Sequence, residues 1–162
     1  MELWEIVDGD GVPTGKFCKR SERDTIPAGF YHAVVEVWVR VNDRILLTQR
    51  HPDKWAGLLW EASGGAVVSG ERVTSGACRE LHEETGISVE ETSLIPLGRS
   101  IRGKSLIISY MVRLGEIPDI TLQECEVVDY KFVSCREILA LGSTLTEGTR
   151  ERLSLYKDAL LS

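Results

Sequence analysis

GAVVSGERVTSGACRELHEETGI, residues Gly65 to Ile87, is the stretch on which the reading of this chain turns. Residues 72–85 have helical character. Gly86 follows as a stop, because glycine readily enters the left-handed conformation that ends helices. At about 100° per residue with Val73 at zero, Ala77 falls at about 40° and Leu81 at about 80°. These two form a stripe that faces a core. On the same scale Glu80 falls at about 340°, Glu84 at about 20° and Glu83 at about 280°. Three carboxylates therefore share one flank of the buried stripe. His82, Ser75, Arg79 and Arg72 take the solvent side.

That arrangement is wrong for stability. Glu83 and Glu84 occupy the last turn, where the helix end is already negative, and each costs about 0.3–1 kcal/mol there. Glu80 and Glu84 repel at a spacing of four. Local rules broken together in one place point to a function that compensates. A divalent cation is the simple compensation. Carboxylate oxygens without Cys or His select hard ions such as Mg²⁺ or Mn²⁺. The plain alternative is a solvated acidic helix end, softened by Arg79 pairing with Glu83.

Outward from this helix, strands and helices mix along the chain. Residues 3–7 alternate like a short strand, and residues 12–17 return as the second arm of an N-terminal hairpin. The Asp8-Gly9-Asp10-Gly11 run between them reads as a turn. It lacks the further acids and distal Glu of a calcium loop. β-Branched and aromatic residues dominate from Tyr31 to Val41, which predicts a buried strand paired with residues 44–48. Residues 51–65 read as a long loop rich in Gly and Trp. Strands are expected at 93–99, 105–113 and 126–133, and helices at 134–141 and 146–160. Leu153, Leu155, Tyr156, Leu160 and Leu161 give the last helix an apolar face. The fold class is α/β or α+β with a mixed sheet.

Composition bounds the rest. The chain has 162 residues, 43% hydrophobic and 27% charged. That suits one globular domain, with residues 1–30 as a hairpin extension and 31–162 as the core. The formal charge is −6. Bulk charge of that sign does not attract a phosphate backbone, so nucleic acid is not an expected partner. No apolar run approaches the roughly 20 residues needed to span a bilayer. Residues 1–5 have no basic or apolar signal region. Cys18, Cys78, Cys125 and Cys135 include no C-x-x-C pair, and their spacing gives no zinc site. The expectation is a soluble cytoplasmic domain with reduced thiols.

The helix segment resembles the Nudix box: a glycine, five residues, Glu, seven residues, then Arg-Glu-aliphatic-x-Glu-Glu-x-Gly-aliphatic. Gly65, Glu71, Arg79, Glu80, Leu81, Glu83, Glu84, Gly86 and Ile87 fill it with no mismatch. The strand pair over 32–50, the Trp-containing loop and the strand after Glu126 also sit where that family has them. The Tyr31-His32 opening and the N-terminal hairpin resemble the bacterial subgroup related to isopentenyl-diphosphate isomerase. The resemblance implies a Nudix fold, a mixed sheet sandwiched between helices. It implies a metal-dependent hydrolase that cleaves a diphosphate, with Mg²⁺ or Mn²⁺ as cofactor. By the same resemblance Glu80, Glu83 and Glu84 hold metal, the Gly65 carbonyl adds a ligand, and Glu126 aligns with a further one. Arg79 and Glu71 orient the carboxylates. The general base is a box glutamate, with Glu80 the candidate, or a distal acid such as Glu126.

Basic residues must meet the anionic substrate. Arg50 ends the second strand of the pair, and Lys54 follows in the loop. Arg102 and Lys104 sit on an expected hairpin turn. Trp55 is a candidate to stack on a base, and Trp60 is read as core packing. The substrate implied is a small molecule, a nucleoside diphosphate linked to another moiety. Homodimers are frequent in the family. Two alternatives stand beside the hydrolase. Isomerases with this fold place a cysteine and a metal-binding histidine where this chain has Gly65 and Val67, so the thiol for proton transfer is missing. Non-catalytic nucleotide-binding relatives usually lose box acids, and none is lost here.

Overall fold

The computed structural model describes residues 2–162. The N-terminal hairpin pairs β1 (Leu3–Val7) with β2 (Pro13–Lys19). At its turn the Asp8 carboxylate accepts hydrogen bonds from the N–H groups of Asp10 and Val12, both at 2.9 Å. The acid serves its own turn, as a short polar side chain there commonly does. A 3₁₀ turn (Arg20–Thr25) then leads into β3 (Tyr31–Val41), the central strand.

β3 organises the sheet. One edge pairs in parallel with β8 (Ser105–Leu114), from His32 opposite Ser105 to Val41 opposite Leu114. The other edge is shared in series by three antiparallel partners: β1, β6 (Ser63–Ala66) and β4 (Arg44–Arg50). β4 then carries β5 (Trp60–Glu61) and β9 (Val127–Ser134), and β7 (Ile95–Arg102) covers β8. The sheet is mixed, as expected from the sequence.

Helices cover two faces. α1 (Val73–Thr85) lies against the face that carries Val35, Val37 and Val39, burying Ala77 and Leu81. Its expected stop is present, with Gly86 at φ 76°. The opposite face carries Trp38, Ile45 and Leu47 and packs on Leu153, Tyr156 and Leu160 of α2 (Glu147–Leu155) and α3 (Lys157–Leu161). β3 is thus buried on both faces, which is why it reads as a nearly continuous apolar run. A third cluster, Trp4, Ile6, Cys18 and Ile26, anchors the hairpin extension.

Three expectations change. The stretch at 51–65 is not all loop, since β5 and β6 form within it. Gly64 and Gly65 contribute no side-chain alternation, so periodicity could not reveal β6. Residues 134–141 do not form an α-helix. The segment buries only Ile138, and a 3₁₀ turn at Ile138–Ala140 takes its place. The helix at 146–160 breaks at Tyr156, whose φ of −107° is not helical. Leu155 then points outward at 60% exposure. All four cysteines are free thiols. No described helix is long and apolar enough to cross a membrane.

Candidate active site

A cavity of 570 Å³ opens across β6, β3 and β8, bounded by α1 on one side. Among the residues singled out by sequence, Gly65, Arg79, Glu80, Glu83, Glu84, Glu126, Arg50 and Lys54 all line it. Glu71 does not, but it holds one that does. Its carboxylate accepts from Arg79 Nε at 2.7 Å and Nη2 at 2.9 Å, and from the Val68 N–H at 3.1 Å. Burial works against the Glu71 charge, yet the bonds from Arg79 and Val68 outweigh it and hold its carboxyl below the ordinary range. Glu71 stands one residue before Arg72, the N-cap of the helix.

Arg79 is the hub. Its Nη1 donates to Glu80 at 2.7 Å and Glu83 at 3.2 Å, and its Nη2 donates to the Ala66 carbonyl at 3.1 Å. The helical wheel put Arg79 on the solvent side. It is half-buried instead, because the long side chain folds back toward Glu71. Hydrogen bonds to Glu71 and then Glu80 raise its basicity further, against burial, so the guanidinium stays charged.

The glutamates differ in environment. Glu83 keeps 43% side-chain exposure. Glu80 is mostly covered, and burial, only partly offset by Arg79, raises its pKa. Glu84 is buried at 6% exposure. Burial pushes its carboxyl up to about 8, and the nearby Glu61 and Glu80 charges add to the effect. Its Oε2 is buried with no hydrogen-bond partner. An orphaned buried carboxylate oxygen is costly, and a cation would relieve it.

Gly65 explains itself by contact. A Cβ there would lie 2.3 Å from the Glu80 carboxyl carbon. The backbone at 65 and the Glu80 carboxylate therefore share one close space. All the donors gathered here are oxygens, a set that fits a hard divalent ion. No three acids among the described residues stand as a ready-made ligand set. Protein cations occupy the gaps: Arg79 bridges Glu80 and Glu83, and the Lys54 ammonium bonds Glu126. Burial and the Arg50 charge lower the Lys54 pKa, so that ammonium is held less firmly than an exposed one. Gly65→Ala should displace the Glu80 carboxylate. We expect turnover to fall about tenfold, about 1.4 kcal/mol in the barrier, with melting little changed. A variant with wild-type turnover would show that the close approach has no catalytic use.

Other expectations are placed elsewhere. Trp55 is 74% exposed and outside the cavity lining. Trp60 packs on the core with Lys131 Nζ 4.1 Å over its ring. Arg102 turns to Glu147 at 2.6 Å and Glu151 at 2.8 Å on α2. The cavity also has walls that sequence reading missed. Glu36 is 4% exposed and accepts from Arg152 Nε and Ser109 Oγ, each at 2.7 Å. His32, Trp4, Arg20 and Arg23 line the far end. A lone Glu inside the apolar run Ala33 to Val39 was a readable signal for Glu36.

A family model described as the NUDIX domain matches residues 30–156. The chain belongs to the Nudix family. It is 28% identical over 158 residues to an uncharacterised Nudix hydrolase of Listeria monocytogenes, covering 89% of this chain and 86% of the relative. Its fold matches the Nudix domain of Shewanella oneidensis NrtR complexed with ADP ribose. The TM-score is 0.68 at 17% identity, covering 88% of this chain and 99% of the other. It also matches a bifunctional NMN adenylyltransferase/ADP ribose pyrophosphatase of Francisella tularensis, complexed with AMP and a Mn ion. There the TM-score is 0.67 at 22% identity, over 80% of this chain and 42% of the other. The Nudix assignment makes this chain a hydrolase of phosphoric anhydrides.

Proposed function

We propose that the chain is a metal-dependent pyrophosphohydrolase that cleaves the diphosphate of a nucleoside diphosphate linked to another moiety. One observation carries this reading: Gly65, Glu80, Glu83 and Glu84 meet on the wall of a single cavity, beside the cations Arg50 and Lys54. Glu80, Glu83 and Glu84, with the Gly65 carbonyl and Glu126, would hold Mg²⁺ or Mn²⁺. Such an ion, when bound, lowers the pKa of water and neutralises charge growing on the phosphoryl oxygens. Arg79, fixed by Glu71, keeps Glu80 and Glu83 aimed at one place. Arg50 is held by Glu61 at 2.7 Å and by the Trp55 carbonyl at 2.8 Å, so it meets a phosphate in a fixed posture. Glu80 accepts the proton of the attacking water. Burial raises the Glu80 pKa above the ordinary carboxylate range, which makes it the better proton acceptor. Lys54 would turn from Glu126 to the substrate when a cation takes the carboxylate.

The NrtR domain complexed with ADP ribose and the Francisella enzyme complexed with AMP support a nucleotide as the ligand class. The test is a hydrolysis panel with Mg²⁺ or Mn²⁺: nucleoside triphosphates, nucleotide sugars, ADP-ribose and isopentenyl diphosphate. We expect phosphoanhydride cleavage of at least one nucleotide and no conversion of isopentenyl diphosphate to its isomer. No cysteine among the described residues lines the cavity to serve isomerisation. Isomer formation, or no cleavage of any anhydride, would overturn the proposal.

A further inference from the structure

The cavity wall carries six cationic side chains: Arg20, Arg23, Arg50, Lys54, Arg79 and Arg152. Four are committed to carboxylates. Arg50 pairs with Glu61, Lys54 with Glu126, Arg152 with Glu36, and Arg79 with Glu71, Glu80 and Glu83. The other two come from the 3₁₀ turn of the N-terminal extension. Arg20 has Glu2 at 3.9 Å, and its side chain is 72% exposed. Arg23 makes no ion pair among the described residues, and its Nη2 reaches only Ser105 Oγ, at 3.5 Å. Arg23 is therefore the lining cation without a carboxylate partner among the described residues, and Arg20 beside it is held only loosely by Glu2, which lines the cavity too.

The floor at that end is built rather than incidental. His32 is 4% exposed and stacks on Trp4, with ring centroids 4.0 Å apart and planes 8° from parallel. Its Nε2 shares a hydrogen bond with Ser105 Oγ at 2.9 Å, and its Nδ1 is buried without a partner. Burial, with Arg23 and Arg20 nearby, pushes the imidazole down to about 4, so the ring is neutral and offers only hydrogen bonding. The extension is held in place by the Trp4, Ile6, Cys18 and Ile26 cluster and by β1 pairing with β3. Except for His32 and Ser105, these residues precede the stretch that the family model matches. Along β3, His32 lies three residues before Val35, the partner of Gly65. At about 3.3 Å per residue that is about 10 Å along the β3 backbone.

We propose that Arg20 and Arg23, above the His32–Trp4 stack, form a second anion subsite that takes a phosphate of the substrate other than the diphosphate at the glutamates. This rests on the hydrolase reading and deepens it. The substrate class becomes a nucleoside diphosphate derivative that carries a further phosphate ester. Two guanidinium groups suit a phosphate dianion, because their N–H forks match its oxygens.

The probe is inorganic phosphate, titrated into metal-free protein while the His32 ring signals are followed by NMR. This readout needs no metal and no turnover, so it is independent of the hydrolysis panel. We expect a saturable shift of the His32 signals. The Arg20→Gln, Arg23→Gln double variant should weaken phosphate at least tenfold. The Arg20→Lys, Arg23→Lys variant should fall between wild type and the double Gln variant, because lysine keeps the charge but not the N–H fork, which separates anion recognition from a folding defect. The same titration on the Glu80→Gln, Glu83→Gln, Glu84→Gln protein should match wild type. Against any anhydride that the panel identifies, phosphate should compete, with an inhibition constant at least tenfold weaker in the double Gln variant. No saturable shift in wild type, or equal affinity in the double Gln variant, overturns the subsite. Binding at Arg20 and Arg23 without competition overturns its assignment to the substrate.

Discussion

Glu83→Gln and Glu84→Gln should each slow hydrolysis at least about a hundredfold, a loss of about 2.7 kcal/mol in transition-state stabilisation. Glutamine keeps the volume and removes the charge. At position 84 the neutral amide suits a site where burial already opposes ionisation, with the carboxyl pushed up to about 8. The fold should therefore persist in Glu84→Gln. At position 83 the side chain is 43% exposed, and its bond in the structure comes from Arg79 at 3.2 Å. Arg79 keeps Glu71 and Glu80 when that bond goes, so Glu83→Gln should fold as well. The loss should fall on kcat more than on KM, because the charge acts on oxygens that become more negative in the transition state. Steady-state kinetics on an accepted substrate, with circular dichroism to verify folding, is the measurement. Wild-type turnover in both variants would remove these acids from the reaction.

Local patterns carried the part of the fold that depends on near neighbours. The α1 stripe, its stop at Gly86 and the β3 run were legible because their periods are written in consecutive residues. The same logic found the glutamate side of the site, since Glu80, Glu83 and Glu84 lie within one turn or so of each other. β6 was not legible. Its identity comes from close backbone approach to β3 and to Glu80, not from alternation. The other half of the cavity was hidden for a further reason. Glu36 meets Arg152 from 116 residues away, and Arg23 reaches Ser105 from 82. No short window contains such pairs. The 3₁₀ turn that carries Arg20 and Arg23 buries none of its residues, so it leaves no apolar signature. Loop tryptophans divide the same way. Trp60 found a core to cover it, and Trp55 stands out in solvent.

Metal should stabilise this protein in a strongly pH-dependent way. In the metal-free chain, burial raises the pKa of Glu84 to about 8, helped by Glu61 and Glu80, and burial also raises Glu80. A carboxyl raised in the fold favours the folded state when protonated. Its contribution is complete below the unfolded carboxylate pKa and is lost as pH rises through the folded value. Glu71 runs the other way, since its pKa is lowered, but its effect lies at and below the ordinary carboxylate range. His32 also runs the other way, because its pKa is pushed down from 6.5 to about 4, so it adds stability as pH rises toward the ordinary imidazole value. Above about pH 6.5 the raised acids decide the slope, so metal-free stability should decline from there to about pH 8. A cation needs the ionised carboxylates, so it binds best where the metal-free fold is weakest. At pH 8 and a hundred times the dissociation constant, Mg²⁺ or Mn²⁺ should add about 2.7 kcal/mol. For a chain of this length that is a rise of roughly 5–10 °C in melting temperature. Near pH 5 proton competition at Glu84 alone weakens binding up to about a thousandfold, and the rise should nearly vanish. The Glu80→Gln, Glu83→Gln, Glu84→Gln variant should lose the metal response and melt higher than metal-free wild type at neutral pH. Arg79 keeps Glu71 in that variant, so its own charge stays paired. Scanning calorimetry at pH 5 and pH 8, with and without metal, reads every one of these effects. If wild type and the triple variant melt alike in every condition, the glutamates hold no cation and their burial does not set the stability.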